Sequence, residues 1–165
     1  MKKLIMVLAL FVSISLKAQS YEPGKKGLQA GDTINMTDAN GKKQGQWILF
    51  GYHNPKMVGY ELNQKISEGA YKDNKKQGVW IDYFPSGNIK NKITFLDGRP
   101  HGPCNLYFWD GKIKEEGTWL NNRWVGNYKY TFENGDVLDI VFDTNGQEIS
   151  KKLTPAKKDP SSKKK

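Results

Sequence analysis

The sequence predicts an all-β protein in which consecutive two-stranded hairpins join into one sheet. Three observations carry that prediction. The phrase NGKKQGQWILF at Asn40 returns as DNKKQGVWIDYF at Asp73, DGRPHGPCNLYF at Asp97 and NNRWVGNYKYTF at Asn121. Two glycine columns keep step with it: Gly78, Gly102 and Gly126 fall 24 residues apart, as do Gly87, Gly111 and Gly135, and a fixed period of this size marks an array of structural repeats. Within each unit, large side chains recur at every second position, the spacing of a strand with two distinct faces.

In chain order, Met1 to Ala18 reads as an export signal. Lys2 and Lys3 give a positive start, Leu4 to Leu16 an apolar run too short to span a bilayer, and Ala18 a small residue at the cut. The mature chain then begins near Gln19, with a periplasmic or cell-surface destination. No cysteine beside the cut offers a lipid attachment point. Residues 19–35 are expected to act as an N-terminal cap, with Tyr21 to Ile34 covering one sheet edge.

The repeats run over residues 36–143. The first unit offers Gly45, Trp47 and Leu49, and 33 residues separate Gly45 from Gly78. The nine extra residues fall in Gly51 to Gln64, expected to form a longer hairpin or loop. After Gly78 come Trp80, Asp82 and Phe84; after Gly102, Cys104, Leu106 and Phe108; after Gly126, Tyr128, Tyr130 and Phe132. Each set shares a sheet face. PSGN at Pro85, WDGK at Trp109 and ENGD at Glu133 are hairpin turns. A second strand follows each, with Ile89, Ile93 and Phe95, then Ile113 and Trp119, then Val137 and Val141. DNKKQG and its relatives join one hairpin to the next.

One such hairpin buries too little apolar surface to offset the entropy of ordering its backbone. Stacking lets neighbours share ladders and side-chain columns, so stability is a sum of unit and interface terms. The recurring glycines supply positive φ or close approach where hairpins meet.

The rhythm G-x-Y/W-x-x-N-K-K-Q-G-x-W-x-x-Y/F-x-x-x-G resembles a MORN-repeat variant of secreted bacterial proteins, the type labelled YwqK-family antitoxin. GAYKDNKKQGVWIDYFPSGNIK at Gly69 matches best and GTWLNNRWVGNYKYTFENGD at Gly117 next. The unit at Ile93 departs, with Cys104 where tryptophan is usual. The resemblance covers Met36 to Asp143. It implies an elongated, single-layer antiparallel β-meander that serves as an interaction surface and has no catalytic residue of its own; the antitoxin label implies binding to a toxin protein.

The formal charge of +9 belongs to the ends. Of 26 basic residues, three lie in the leader (Lys2, Lys3, Lys17) and seven in Lys151 to Lys165, which holds one of the 17 acidic residues; Gln19 to Ser150 keeps 16 of each sign. A neutral body behind an export signal argues against a nucleic-acid partner. Residues 144–165 are expected to form a C-terminal cap, Gln147 to Thr154, and a basic disordered tail. The tail suits loose attraction to an anionic lipid surface. Edge-to-edge pairing into a dimer stays open.

Catalytic chemistry finds little support. His53, in the insertion, and His101, in a predicted turn, lack a second histidine or cysteine at ligand spacing. Cys104, the single cysteine, replaces a tryptophan in a face column and reads as packing. DTNGQEISKKLT at Asp143 lacks the glycine and glutamate of a calcium loop and reads as a turn. No cofactor, no metal and no enzymatic activity are expected. The candidate binding face is a polar row, Asn91, Glu115 and Asp139, expected on the side of Ile89, Ile113 and Val137, with Trp80, Tyr107, Trp109 and Trp119 as platforms for a protein or a glycan. The alternative is a bulge that turns the row into solvent.

Overall fold

The computed structural model describes residues 17–20, 33–54 and 56–157. Eleven strands follow one another along the chain: β1 (Lys17–Ser20), β2 (Thr33–Thr37), β3 (Lys43–Phe50), β4 (Lys65–Lys72), β5 (Lys75–Tyr83), β6 (Ile89–Leu96), β7 (Arg99–Tyr107), β8 (Ile113–Leu120), β9 (Arg123–Thr131), β10 (Val137–Phe142) and β11 (Glu148–Thr154). They form one open antiparallel meander in which spatial order equals sequence order. The expected leader lies outside the described residues up to 16, and its last two, Lys17 and Ala18, fall in β1. Residues 21–32 of the expected cap are likewise outside.

Two kinds of turn alternate and set the period. On one edge a two-residue turn takes both residues into the left-handed region: Asp73 and Asn74 at φ 51° and 67°, Asp97 and Gly98 at 50° and 80°, Asn121 and Asn122 at 51° and 67°. Such turns match strand twist and tolerate Asn, Asp and Gly. On the other edge a five-residue turn closes with paired backbone bonds, as where Phe84 N–H donates to Asn88 O (2.8 Å) and Gly87 N–H to Phe84 O (2.9 Å). Gly87, Gly111 and Gly135 sit there at φ 85–87°. A nine-residue strand, five-residue turn, eight-residue strand and two-residue turn make the 24-residue step. The expected connector DNKKQG is therefore mostly strand: Asp73 and Asn74 make the whole turn, and Lys75 to Gly78 already belong to β5.

Residues 51–54 and 56–64 lie in the β3–β4 loop, with a short 3-10 turn over Gly51–His53. It is tied down by Gly51 N–H to Gln64 O (2.9 Å), by Tyr60 Oη to Tyr83 O and by Gln64 Nε2 to Pro85 O. At the far end, Lys151 to Thr154, the lysine-rich part of the segment expected to cap the sheet, lie in β11. The pairs Leu138↔Leu153 and Ile140↔Lys151 hold them, because alternation and the turn at Asp143–Gln147 outweigh the lysine-rich composition.

Registers define two faces, since directly paired residues point the same way. One carries Trp47, Trp80 and Cys104; the other carries Ile48, Ile81 and Glu116. A single layer has no enclosed interior, so full burial is confined to short stretches. On the isoleucine face Ile34, Ile48 and Phe50 form one buried cluster. On the tryptophan face, Trp80 lies on Gly69: a Cβ at Gly69 would stand 2.4 Å from the ring. Trp80 Nε1 also donates to Ala70 O at 2.9 Å. Gly117 repeats this under Trp124 and Tyr128, with an ideal Cβ 3.0 and 3.2 Å away. Gly78, Gly102 and Gly126 sit at positive φ in the same junctions, where the register slips by two residues.

The unit that departs from the motif departs twice. At β6–β7 the position of Gly69 and Gly117 holds Ile93, and its partner in register is Cys104, at the position of Trp80 and Tyr128. A large residue has moved from one strand to its neighbour, filling the same space.

Gly69→Ala should destabilise by about 3 kcal/mol, through overpacking against Trp80, while Gly87→Ala, with open space but positive φ, should cost about 1 to 2 kcal/mol; urea denaturation distinguishes them. Ile93→Gly should cost about 4 kcal/mol as a cavity and Cys104→Trp about 3 kcal/mol as a clash. The double variant should cost less than the two together by about 2 kcal/mol or more, and additivity would refute the shared-volume account.

Candidate functional site

The predicted row of acceptors does not exist as a row. In β6 the register slips between Asp82 and Tyr83, so Lys90 is an extra residue: Ile89 pairs with Tyr83 and Asn91 with Asp82. β8 repeats this at Lys114, where Ile113 pairs with Tyr107 and Glu115 with Leu106. A bulge of this kind reverses which way the following residues point. Asn91 and Glu115 therefore share the tryptophan face, opposite to Ile89 and Ile113, against the expectation of strict alternation. β10 pairs with β9 without a slip. Leu138 takes the equivalent place, and Asp139 falls on the isoleucine face opposite Lys129.

The two remaining members of the row are engaged within the protein. Asp82 accepts from Ser67 Oγ at 2.6 Å and from Asn91 Nδ2 at 3.3 Å. Glu115 accepts from Tyr128 Oη at 2.9 Å, and burial together with that bond raises the Tyr128 phenol above its ordinary range. Ser67 was not singled out in the sequence and Asp82 was read only as a face residue, although Asp82 pairs directly with Asn91 and Ser67 with Asp82 along the ladder. These contacts make the row a set of cross-strand ties.

The proposed platforms divide as well. Trp80 is 2% exposed and is core. Around it runs an aromatic ladder with interleaved cations: Trp47 and Tyr71 meet edge to face at 5.7 Å, Tyr71 and Trp80 at 4.7 Å, with Lys43 Nζ 4.6 Å from Trp47 and Lys76 Nζ 4.2 Å from Trp80. Burial pulls the Lys76 ammonium below its usual range. Two units later the lysine's place is taken by Trp124, which packs against Trp119 at 4.4 Å and Tyr128 at 4.8 Å. Trp119 is thus half-buried in a stack, and Tyr107 is half-buried on the opposite face.

Trp109 differs from all of these. It sits in the β7–β8 turn, where the other units have Pro85 and Glu133, and is 74% exposed. With Phe108, Ile113, Thr131 and Phe132 it lines a groove of about 440 Å³ between two successive five-residue turns. Phe132 and Ile113 are 39% and 41% exposed. Asp110, Lys112 and Glu133 complete the lining, with Asp110 held below its usual range by hydrogen bonds from Lys112, whose ammonium is 2.9 Å away. The 24-residue step of Phe84, Phe108 and Phe132 was visible in the sequence. Its consequence was not, because these residues close turns instead of extending strands. Val58 and Leu62, on the β3–β4 loop, are also exposed.

The remaining chemistry-bearing residues have structural partners or bury themselves. His53 Nδ1 accepts the Phe50 N–H at 3.0 Å, and burial lowers its pKa. His101 lies in β7, not in a turn, because the adjoining turn is completed by Asp97 and Gly98. Asp143 receives Asn145 N–H and Gln147 N–H, both at 2.8 Å, and Gly146 turns at φ 80°, so this segment is a turn. Among the described residues no three His, Cys, Asp or Glu side chains gather in a way that could hold a metal ion. No protein-family model matches the sequence, and no curated protein matches it either.

Cys104 is 2% exposed, and burial, aided by Glu115, pushes its thiol up to about 11. A folded-state value above the unfolded one gives stability that is intact below pH 9 or so and is lost as pH rises toward the folded value. The stability difference between wild type and Cys104→Ala should therefore be flat from pH 6 to 8 and shrink from about pH 9 upward, as read by urea midpoints. A thiol reagent at pH 8 should label Cys104 only on unfolding.

Proposed function

We propose that this protein is an exported, non-catalytic β-repeat module of the MORN-like kind that binds a protein partner in the periplasm or at the cell surface. The observation that carries this reading is the Trp109 groove. Exposed tryptophan beside exposed phenylalanine and isoleucine in one concavity is the make-up of an interaction anchor, since aromatic side chains filling pockets dominate binding energy. The carboxylates of Asp110 and Glu133 at its margin favour a partner segment with an aliphatic or aromatic anchor flanked by lysine or arginine. An antitoxin-like role is the special case in which that partner is a toxin protein.

The second reading is attachment to the cell envelope, supported by the seven lysines of Lys151 to Lys165 beside an otherwise neutral body. It implies attraction to anionic lipid or glycan surfaces that weakens with salt.

A photo-cross-linking residue at position 109 should give one discrete protein adduct in the envelope fraction. Trp109→Ala combined with Phe132→Ala should weaken binding of that partner by about 100-fold, roughly 3 kcal/mol, without lowering the melting temperature. If binding survives the double substitution but is lost on deleting Lys157 to Lys165, the envelope reading replaces the first.

A further inference from the structure

The sheet ends at β11. β10 is paired on both sides, whereas among the described residues β11 pairs with β10 alone. Alternate residues of β11 therefore turn their N–H and C=O groups outward with no ladder partner. All seven of its residues are exposed. Pairing with β10 is regular from Ser150 to Thr154 and slips at Ile149, and Pro155 follows with no N–H to offer. The usable edge is Ser150 to Thr154.

Register indicates what fits against it. On the isoleucine face, Glu116 of β8 pairs with Lys129 of β9, Lys129 with Asp139 of β10, and Asp139 with Lys152 of β11. Charge alternates strand by strand, and the Glu116–Lys129 step closes at 3.1 Å. Opposite charges in directly paired positions favour strand pairing and like charges oppose it. The series stops on Lys152, so the next position outward suits a carboxylate. On the tryptophan face Leu153 extends the column of Leu138 and is 56% exposed, while Lys151 lies opposite Ile140, which offers it no charge. Neither Lys151 nor Lys152 forms an ion pair among the described residues.

The same charges reject a second copy of the chain. β1, the other end of the sheet, is Lys17–Ser20 and has no carboxylate, so an end-to-end array would set one lysine-bearing edge against another. Pairing β11 with itself would gather both copies of Lys151 and Lys152, and the chain beyond Thr154 adds five lysines against one aspartate. Lysine on an edge strand deters pairing, but the deterrent has a sign. It repels a basic strand and attracts an acidic one.

We infer that β11 is a docking edge for an extended acidic segment of a protein partner, added antiparallel to Ser150–Thr154 with an apolar residue opposite Leu153 and carboxylates opposite Lys152 and Lys151. In this mode the backbone ladder supplies affinity and the side-chain positions supply selectivity. The edge is separate from the Trp109 groove, which lies at the β7–β8 turn.

The test is amide NMR of the full chain at pH 7, titrated with the peptide Thr-Val-Glu-Glu-Thr blocked at both ends. Saturable shifts confined to β10 and β11 are expected, with alternate amides of Ser150–Thr154 exchanging with solvent about fivefold more slowly at saturation. The same peptide methylated on its backbone nitrogens keeps its charge but loses its ladder donors, and should bind at least tenfold more weakly. Lys151→Gln combined with Lys152→Gln, both at exposed positions, should weaken binding of the unmodified peptide about tenfold at an unchanged melting temperature. Trp109→Ala with Phe132→Ala should leave it unaltered, so the groove and the edge stand or fall separately. Absence of saturable shifts, or equal binding of the methylated peptide, overturns the proposal. Equal slowing of β11 exchange by phosphatidylglycerol vesicles also overturns it in favour of a lipid surface, and slowing in the protein alone as its concentration rises does so in favour of a second copy.

Discussion

Space at the junction between neighbouring hairpins is the constraint on which the sheet depends. Trp80 can lie flat against β4 only because Gly69 has no side chain, and Tyr128 with Trp124 can cover β8 only because of Gly117. Neither glycine has a positive φ, so each is required for close approach alone. Where the middle unit puts Ile93 on one strand, Cys104 answers on the other. At each of these junctions one strand holds a small residue where its neighbour holds bulk, and this lets a thin sheet pack without a second layer. Protein interiors tolerate rearranged volume better than lost or added volume, which is why the two departures occur together.

Turns supply the other half of the repetition. A hairpin closed by two left-handed residues on one edge and by a glycine-containing five-residue turn on the other fixes the phase of both strands. That phase brings each aromatic over its glycine. Side-chain hydrogen bonds from Gln44 to Asp73 and from Gln77 to Asp97 then tie successive turns into a line. Cooperativity in such an array passes through nearest neighbours.

The same thinness decides where recognition can occur. Acceptors on the tryptophan face are taken up by ties such as Ser67 to Asp82 and Tyr128 to Glu115, and its large rings are stacked on one another. What stays open is at the edges, as with Trp109 and Phe132, which lie in turns and are free of ladder duties. A strand residue in this protein is committed twice, to its ladder and to its face, whereas a turn residue is committed once.

Much of this was legible in the chain. The 24-residue glycine columns, the period-two alternation and the turns at PSGN, WDGK and ENGD are local properties, because φ preference and side-chain alternation belong to a residue and its immediate neighbours. They determined the hairpins, their order and the packing role of Cys104. Pairing decided the rest. Whether Lys90 and Lys114 bulge, and whether β10 does not, depends on how many residues the partner strand offers opposite them. That difference alone moved Asn91 and Glu115 to one face and Asp139 to the other, and no single strand contains it. Exposure was equally a tertiary matter: Trp80 and Trp109 are the same residue to a sequence, and only the glycine beneath one and the open turn beneath the other made the first core and the second surface.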